Sequence, residues 1–306
     1  MIASIAVGAL RTFAAFVRLL PPRLYGPIAT VGAWGFWLGS RKHRTRTLAN
    51  LDFRGLTGRA ARRFGIASFR SNFLVFLETL AVERLLAERG ATVRCEVTPA
   101  AQQTLAALSA GEIPMAMSCS GHLGCWELMG AYFAQCSQPV PCAVSARLPK
   151  APSVKKFLRE TRQSFGLELI EKDTFLRFTI QKRRAAEPYN YMFLLDQHFK
   201  GGERLPFLER PACTVTVPAH FALKYDAPIL LGFAHRIRPG SYRLTIDLVD
   251  VSAYKEMPLA AGVSALTRHL NDAVGAAIEV APEQWTWGHR RWRACCDEVA
   301  APASSP

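Results

Sequence analysis

The chain has 306 residues, half of them hydrophobic, which is enough for one large domain or two small ones with a sizeable buried core. Its 38 Lys and Arg against 24 Asp and Glu give a net charge of +14. This balance favours an anionic partner: nucleic acid, an anionic membrane face, or a phosphorylated or acidic substrate. The eight cysteines form no CxxC pair and show no zinc-ligand spacing, so we expect reduced thiols rather than a zinc site.

Residues 1–46 are expected to associate with a membrane through apolar and basic helices. In residues 2–20, apolar side chains recur near helical spacing while Arg11 and Arg18 share another face, the pattern of a helix lying in a membrane interface. These arginines interrupt any transmembrane span. A second apolar run with two tryptophans, 24–39, precedes the basic "RKHRTR" at 41–46, which suits an anionic leaflet. Two ordinary core helices with a solvated basic face are the alternative.

Residues 47–296 are predicted to form one α/β domain, followed by a disordered tail at 297–306. Helices are expected at 60–89 and 100–110. Short apolar runs bounded by Pro, Gly or polar residues then predict strands at 113–118, 139–145, 189–195, 227–234 and 242–249, with helical segments at 126–136, 152–165, 174–186 and 214–225. This alternation predicts a largely parallel sheet flanked by helices, in which the loops after the carboxyl ends of strands carry the ligand chemistry.

The stretch "SCSGHLGCWE" at 118–127 places His122 five positions before Glu127, a spacing that does not share one helix face. The preceding run predicts a strand, and the next helix begins near Trp126. Gly121 and Gly124 allow a tight turn between them. His122 and Glu127 are therefore expected to face each other across a bend from strand to helix.

An imidazole beside a carboxylate is a general base with an orienting partner. The chain has neither GxSxG nor HExxH, so neither a hydrolase serine nor a zincin site is indicated. A base without a protein nucleophile implies that the substrate supplies one, such as a hydroxyl. Two alternatives stay open: Glu127 could simply favour a helix N-terminus beside a surface His122, or Cys125 could be a thiolate nucleophile.

Two further charged residues follow predicted strands. Arg147 would emerge at the same sheet edge as His122, where a cation can serve an oxyanion or a phosphate. Asp196 is the first carboxylate after the apolar run 189–195. A solvated arginine and a capping aspartate are the alternatives. Basic residues at 155–162, 182–184 and 289–293 could be solvated or could attract phosphate-bearing lipids or an acidic carrier protein.

Five blocks in order resemble one family: "HLGCWE" from His122, "RLPKAP" from Arg147, "DQHFKGGERLPFLERPA" from Asp196, "APILLGFA" at 227–234 and "PEQWTWGHRRWR" at 282–293. Over residues 20–293 the chain is similar to the lipid A biosynthesis (lauroyl/myristoyl) acyltransferases, within the lysophospholipid and glycerolipid acyltransferases. The chain departs from the family's blocks where Cys125 and Ala151 replace a common Asn and where Glu209 replaces a Gly, which leaves the acceptor undefined.

The resemblance implies a glycerolipid-acyltransferase-like fold that moves an acyl chain from acyl carrier protein or coenzyme A to a hydroxyl of a lipid A-type or other glycolipid or lysolipid. It implies this at the cytoplasmic face of a bacterial inner membrane, with no cofactor, metal or nucleic acid. His122 would be the base and Glu127 its partner, while Arg147, Asp196 and N–H groups at Gly121–Gly124 would bind substrate or stabilise the oxyanion. A non-catalytic lipid-binding protein and an acyl-thioesterase are the alternatives.

Overall fold

The computed structural model describes residues 2–87, 93–146 and 151–294. Its helices are α1 (Ile2–Leu19), α2 (Tyr25–Gly39), α3 (Arg41–Asp52), α4 (Gly58–Thr79), α5 (Val82–Ala87), α6 (Pro99–Ser109), α7 (Trp126–Ser137), α8 (Pro152–Gln163), α9 (Lys172–Arg184), α10 (Val217–Tyr225), α11 (Ser252–Lys255) and α12 (Leu259–Val280). Its strands are β1 (Val93–Val97), β2 (Met115–Ser120), β3 (Cys142–Ala146), β4 (Leu167–Glu171), β5 (Tyr189–Leu194), β6 (Glu203–Phe207), β7 (Arg210–Thr214), β8 (Ile229–Arg238) and β9 (Ser241–Leu248).

Seven strands form one sheet in the order β1-β9-β8-β2-β5-β3-β4, and β6 and β7 form a separate antiparallel pair. The five strands β8, β2, β5, β3 and β4 are mutually parallel, whereas β9 is antiparallel to β8 and β1 is parallel to β9. The predicted mixed, largely parallel sheet flanked by helices is therefore confirmed, and each of the five predicted strands is present.

The prediction missed β1 and β4, which are the two edge strands of the large sheet. Their sequences, "VRCEV" and "LELIE", alternate apolar and charged residues, and they expose part of their length. An edge strand needs less continuous apolar surface than a central parallel strand, so no apolar run marks it.

Both faces of the sheet are covered. Alternate residues of β2 enter different apolar clusters: Met115 and Met117 pack with α10 and α12, whereas Ala116 packs with α6 and α7. This is the arrangement expected for a central parallel strand, which is buried on both sides.

The N-terminal helices pack on the sheet domain through α4. Trp37 of α2 contacts the ring of Phe69 on α4, with the ring centroids 5.5 Å apart. On the other side of α4, the buried carboxylate of Glu78 accepts hydrogen bonds from the guanidinium of Arg236 in β8, the shortest being 2.6 Å. Removing one partner from such a buried pair leaves an uncompensated charge, so the contact fixes α4 against the sheet.

Helix α1 buries part of its apolar surface, including Val17, and exposes another part. Its two arginines contact the protein: Arg11 forms an ion pair with Glu160 at 2.7 Å, and Arg18 donates to the Leu80 carbonyl at 2.9 Å. Phe16 and Leu19, by contrast, are 54% and 83% exposed. Among the described residues, no helix combines the length and the apolar character needed to cross a membrane.

The cysteines only partly match the sequence prediction. Cys95, Cys119, Cys125, Cys136 and Cys142 are reduced thiols, as predicted. Cys213 is disulfide-bonded, so the prediction of a reduced thiol is wrong at that position. Its spacing from the other cysteines matches no motif, which is why the sequence gives no signal for the bond.

Candidate active site

Two neighbouring parallel strands bring His122 and Asp196 together. Ser120 at the end of β2 pairs in register with Leu194 at the end of β5, and each functional residue lies two positions further along its own chain segment. The Nδ1–H of His122 donates to Oδ1 of Asp196 at 2.8 Å, and the backbone N–H of His122 donates to Oδ2, also at 2.8 Å. The imidazole and its backbone are thus both fixed by one carboxylate.

Asp196 is completely buried and receives a third hydrogen bond, from the indole N–H of Trp285 at 2.6 Å. Burial alone would raise the pKa of Asp196, but the charge and hydrogen bond of His122, with help from His289 and Trp285, hold it below its usual value. The group is therefore a carboxylate whose two oxygens both accept hydrogen bonds.

A tight loop positions His122 after β2. Gly124 has a φ of +56°, and a Cβ on it would lie 1.8 Å from the carbonyl oxygen of Ala234, so only glycine fits. The N–H groups of Leu123, Gly124 and Cys125 donate to carbonyl oxygens of Gly121, Gln284 and Ala234 respectively. Each N–H from His122 to Cys125 is therefore engaged within the protein, and the predicted oxyanion role of Gly124 is not confirmed.

Glu127 does not orient His122 in this structure, so the predicted dyad is corrected. Its carboxylate accepts two hydrogen bonds from Arg162 of α8, at 2.5 Å from Nη2 and 3.1 Å from Nε. Both ring nitrogens of His122 have other partners. The bend forms as predicted, but β5 brings Asp196 to the imidazole, and Glu127, in the first turn of α7, faces the neighbouring helix instead.

The second ring nitrogen of His122 faces two residues that the sequence did not single out. The carboxamide nitrogen of Gln197 lies 2.8 Å from Nε2 of His122 and 3.3 Å from Nε2 of His289. The two imidazole rings are in edge contact, with centroids 4.9 Å apart. Burial, together with the charge of His122, lowers the pKa of His289 to about 4, so His289 is a neutral hydrogen-bond acceptor at neutral pH.

Arg291 fixes the loop that carries Asp196 and Gln197. This arginine is fully buried and donates to the backbone carbonyls of Gln197 and Cys213, at 2.9 and 2.7 Å. Arg291, His289 and Trp285 all belong to the block at 282–293, which the sequence marked by its resemblance to a family block and by the basic run at 289–293.

Two cavities meet at the histidine pair. The first, called here the strand-end cavity, has a volume of about 470 Å³ and is lined by His122, Glu127, Arg162, Lys172, Phe175 and Met192, among others. The second, the phenylalanine groove, has a volume of about 420 Å³ and is lined by Phe36, Phe69, Phe73, Phe76, Arg46 and His289, among others. His122 thus opens into one cavity while its neighbour His289 lines the other.

The sequence also pointed to Cys125 and Arg147 as residues of this site. Cys125 is fully buried, and burial raises the pKa of its thiol well above the usual value, so it is not a thiolate nucleophile. Arg147 lies outside the described residues, and its role stays a prediction.

Comparison with known proteins identifies the family of the chain. No curated protein matches the chain. A family model described as bacterial lipid A biosynthesis acyltransferase matches residues 4–294, a span that contains every site residue described above. The chain therefore belongs to the bacterial lipid A biosynthesis acyltransferase family, and it is an acyltransferase.

Proposed function

We propose that this acyltransferase moves a fatty acyl group from a thioester to a hydroxyl of a membrane lipid, with His122 as general base and Asp196 as its orienting partner. The observation that carries this is the 2.8 Å bond from Nδ1 of His122 to the buried carboxylate. A carboxylate there holds the proton on Nδ1 and leaves Nε2 free to accept one.

The acyl transfer needs no nucleophile from the protein, because the acceptor hydroxyl attacks directly. The acceptor hydroxyl gives its proton to Nε2 of His122 while its oxygen attacks the thioester carbonyl carbon. The C–S bond then breaks, and the thiol leaves with the proton that the imidazolium returns. Asp196 stabilises the imidazolium in between, because its charge lies one hydrogen bond away.

The oxyanion that forms during attack needs a donor other than the N–H groups at 122–125. Arg162 lines the strand-end cavity together with His122, and Glu127 holds its guanidinium in place. We assign Glu127 the role of positioning this cation for the oxyanion or for a phosphate of the substrate. Arg147, whose position lies outside the described residues, is proposed for the same purpose.

The two cavities suit the two substrates. The strand-end cavity has an apolar wall that includes Phe175, Leu176 and Phe193, suited to the acyl chain of the donor, with Lys172 on the same wall for an anionic carrier. The carrier would be acyl carrier protein or coenzyme A. The phenylalanine groove lies between α2 and α4 and would admit a lipid acceptor, a lipid A-type or other glycolipid or lysolipid, from the membrane.

Exposed apolar side chains support membrane association of residues 1–46. Phe16, Leu19, Val31 and Leu38 on α1 and α2 are each more than half exposed. A cluster of this kind, followed by the basic start of α3, favours an anionic leaflet, and we place it at the cytoplasmic face of a bacterial inner membrane.

Vesicle co-sedimentation tests the membrane surface. Replacing Leu19, Val31 and Leu38 with Ser should lower binding to phosphatidylglycerol-containing vesicles by at least about tenfold, because about 2 kcal/mol is lost per apolar side chain withdrawn from lipid. The control is Leu259→Ser, an exposed apolar residue at the start of α12. Equal loss in the control would mean that the N-terminal helices are not the contact surface.

A radiolabelled acyl thioester, offered on acyl carrier protein and on coenzyme A with a bacterial lipid extract, tests the reaction. Chromatography separates acylated lipid from free fatty acid, which would indicate a thioesterase, and from unreacted thioester, which would indicate a binding protein. His122→Ala should leave the fold intact and lower turnover by at least ~10²-fold, the contribution of a general base. Near-normal turnover in the folded variant would reject His122 as the base.

A further inference from the structure

We infer that the side chain of Gln197 is a displaceable cap on the reactive nitrogen of His122, which donates a hydrogen bond to that nitrogen and leaves when the acceptor hydroxyl arrives. This inference deepens the proposed function and rests on it for its kinetic consequences. The cap itself is a property of the resting protein and is testable without substrate.

The hydrogen-bond pattern at His122 requires a donor at Nε2. Asp196 accepts from Nδ1, so Nδ1 carries the ring proton and Nε2 presents a lone pair. The carboxamide nitrogen of Gln197 is a donor, and it lies 2.8 Å from that lone pair. Its second N–H faces Nε2 of His289 at 3.3 Å, a nitrogen that accepts in the Nδ1–H tautomer of a neutral imidazole. One carboxamide thus satisfies two imidazole lone pairs.

The same contact blocks the reaction. A hydroxyl that is to lose its proton to His122 must come within hydrogen-bond distance of Nε2, the position that Gln197 now occupies. Asp196 and the cap therefore act on opposite sides of the ring: the carboxylate selects the tautomer, and the carboxamide covers the nitrogen that this tautomer makes reactive.

The main chain of Gln197 is fixed, so displacement of the cap involves only its side chain. Its backbone carbonyl accepts a hydrogen bond from the buried guanidinium of Arg291 at 2.9 Å, so the main chain is fixed. The side chain is exposed, and water can satisfy the carboxamide once it leaves His122. Both cavities adjoin this side chain: it lines the strand-end cavity, and its second partner His289 lines the phenylalanine groove. Displacement of one side chain would therefore open a path between the two.

The charged and titratable groups around this contact come from several elements. They are Asp196 and His198 on the loop after β5, His289 and Arg291 in the C-terminal segment, His43 and Arg46 on α3, and Glu127, Arg162 and Lys172 on α7, α8 and α9. A substitution at Gln197 leaves all of them in place, so its effect on pH dependence reports the cap itself.

Chemical modification tests the cap directly. Diethyl pyrocarbonate acylates unprotonated imidazole nitrogen, and mass spectrometry of the peptide containing His122 gives its rate. Gln197→Leu keeps the bulk of the side chain but not its donor, and it should raise the rate about fivefold, the factor that corresponds to one ordinary hydrogen bond. Gln197→Ala should raise it at least as much. Gln181→Leu, at an exposed position on α9, is the matched control and should leave the rate unchanged.

An unchanged rate in both Gln197 variants would overturn the cap. A higher rate in Gln197→Ala with an unchanged rate in Gln197→Leu would also overturn it, because simple steric shielding would then explain the protection. Thermal unfolding of each variant must stay within a few degrees of the wild-type midpoint. With loss of structure excluded by this control, a higher modification rate can be attributed to loss of the cap.

Gln197→Glu supplies the kinetic test. A carboxylate of the same size can only accept, so it favours a proton on Nε2 and an imidazolium held between two carboxylates. The acidic limb of the kcat/KM profile should then move upward by about one pH unit or more, whereas Gln181→Glu should not move it. An unmoved limb in an active Gln197→Glu variant would reject the contact. Wild-type protein without acyl transfer would reject the proposed function while leaving the modification test valid.

Discussion

Replacing Asp196 with Asn should remove the tautomer of His122 that presents a lone pair at Nε2, while leaving the fold in place. Oδ2 of Asp196 accepts from two N–H groups, those of the His122 backbone and Trp285, so the amide oxygen of Asn must take that position. The amide NH2 group then faces Nδ1 of His122. Two donors cannot share a hydrogen bond, so Nδ1 must become the acceptor and the ring proton must move to Nε2.

This change of tautomer should lower kcat strongly and the free energy of unfolding only slightly. A histidine base protonated at its reactive nitrogen cannot accept a proton, and the loss expected in kcat is about 10³- to 10⁴-fold. Stability should fall by only about 2 kcal/mol, because one charge-assisted hydrogen bond of three changes. The variant should therefore still fold, and the acyl-thioester assay measures its residual rate.

Two matched variants make the test decisive. Glu127→Gln keeps a weaker hydrogen bond to Arg162 and should cost about tenfold or less, and Asp173→Asn removes an exposed carboxylate from α9 and should cost nothing. Nitrogen-15 NMR of the His122 ring shows the tautomer in each. Asp196→Asn activity within about tenfold of wild type, together with a collapse in Glu127→Gln, would refute the assignment of Asp196 as the partner and restore Glu127.

Two further predictions concern stability. The pKa of His289 is lowered to about 4 in the folded chain, so between about pH 6.5 and pH 4 the unfolded chain binds a proton that the folded chain does not, and the free energy of unfolding should fall by about 3 kcal/mol across this window. Urea unfolding of His289→Asn should show a correspondingly weaker dependence on pH, and parallel curves would contradict the shift. Gly124→Ala should lower stability by at least ~2 kcal/mol because its Cβ would overlap the Ala234 carbonyl, whereas Gly35→Ala, in open space on α2, should be neutral or stabilising; equal effects would contradict the overlap.

The sequence predicted the loop geometry at His122 but not its partner. Apolar runs located the two central strands, β2 and β5, to within two residues at each end, and the glycines indicated the bend. The pairing of His122 with Asp196 depends on β2 and β5 being neighbours in a register that aligns their ends. Nothing local in either strand specifies that order, because parallel neighbours are joined by long crossover connections. Glu127 was therefore chosen for its closeness in sequence rather than in space.

The residues that surround the catalytic pair were harder to foresee. Trp285, His289 and Arg291 lie in a segment after α12 with little regular structure, where no periodicity indicates burial. Arg291 is fully buried although arginine is rarely so, and its two terminal nitrogens donate to four acceptors: two carbonyls, one hydroxyl and one side-chain amide. Contacts of this kind depend on the completed fold and leave no pattern in the residues themselves.

The charges around His122 explain why its neighbour His289 has to be neutral. The buried cation of Arg291 interacts with the buried carboxylate of Asp196. In the proposed reaction His122 becomes an imidazolium 4.9 Å from the ring of His289. A second positive charge at that distance would raise its energy by about 3 kcal/mol at an effective dielectric constant near 20, which slows proton transfer by about two orders of magnitude. Burial of His289 keeps that charge away at neutral pH, so the same desolvation that destabilises the protein in acid keeps His122 available as a base.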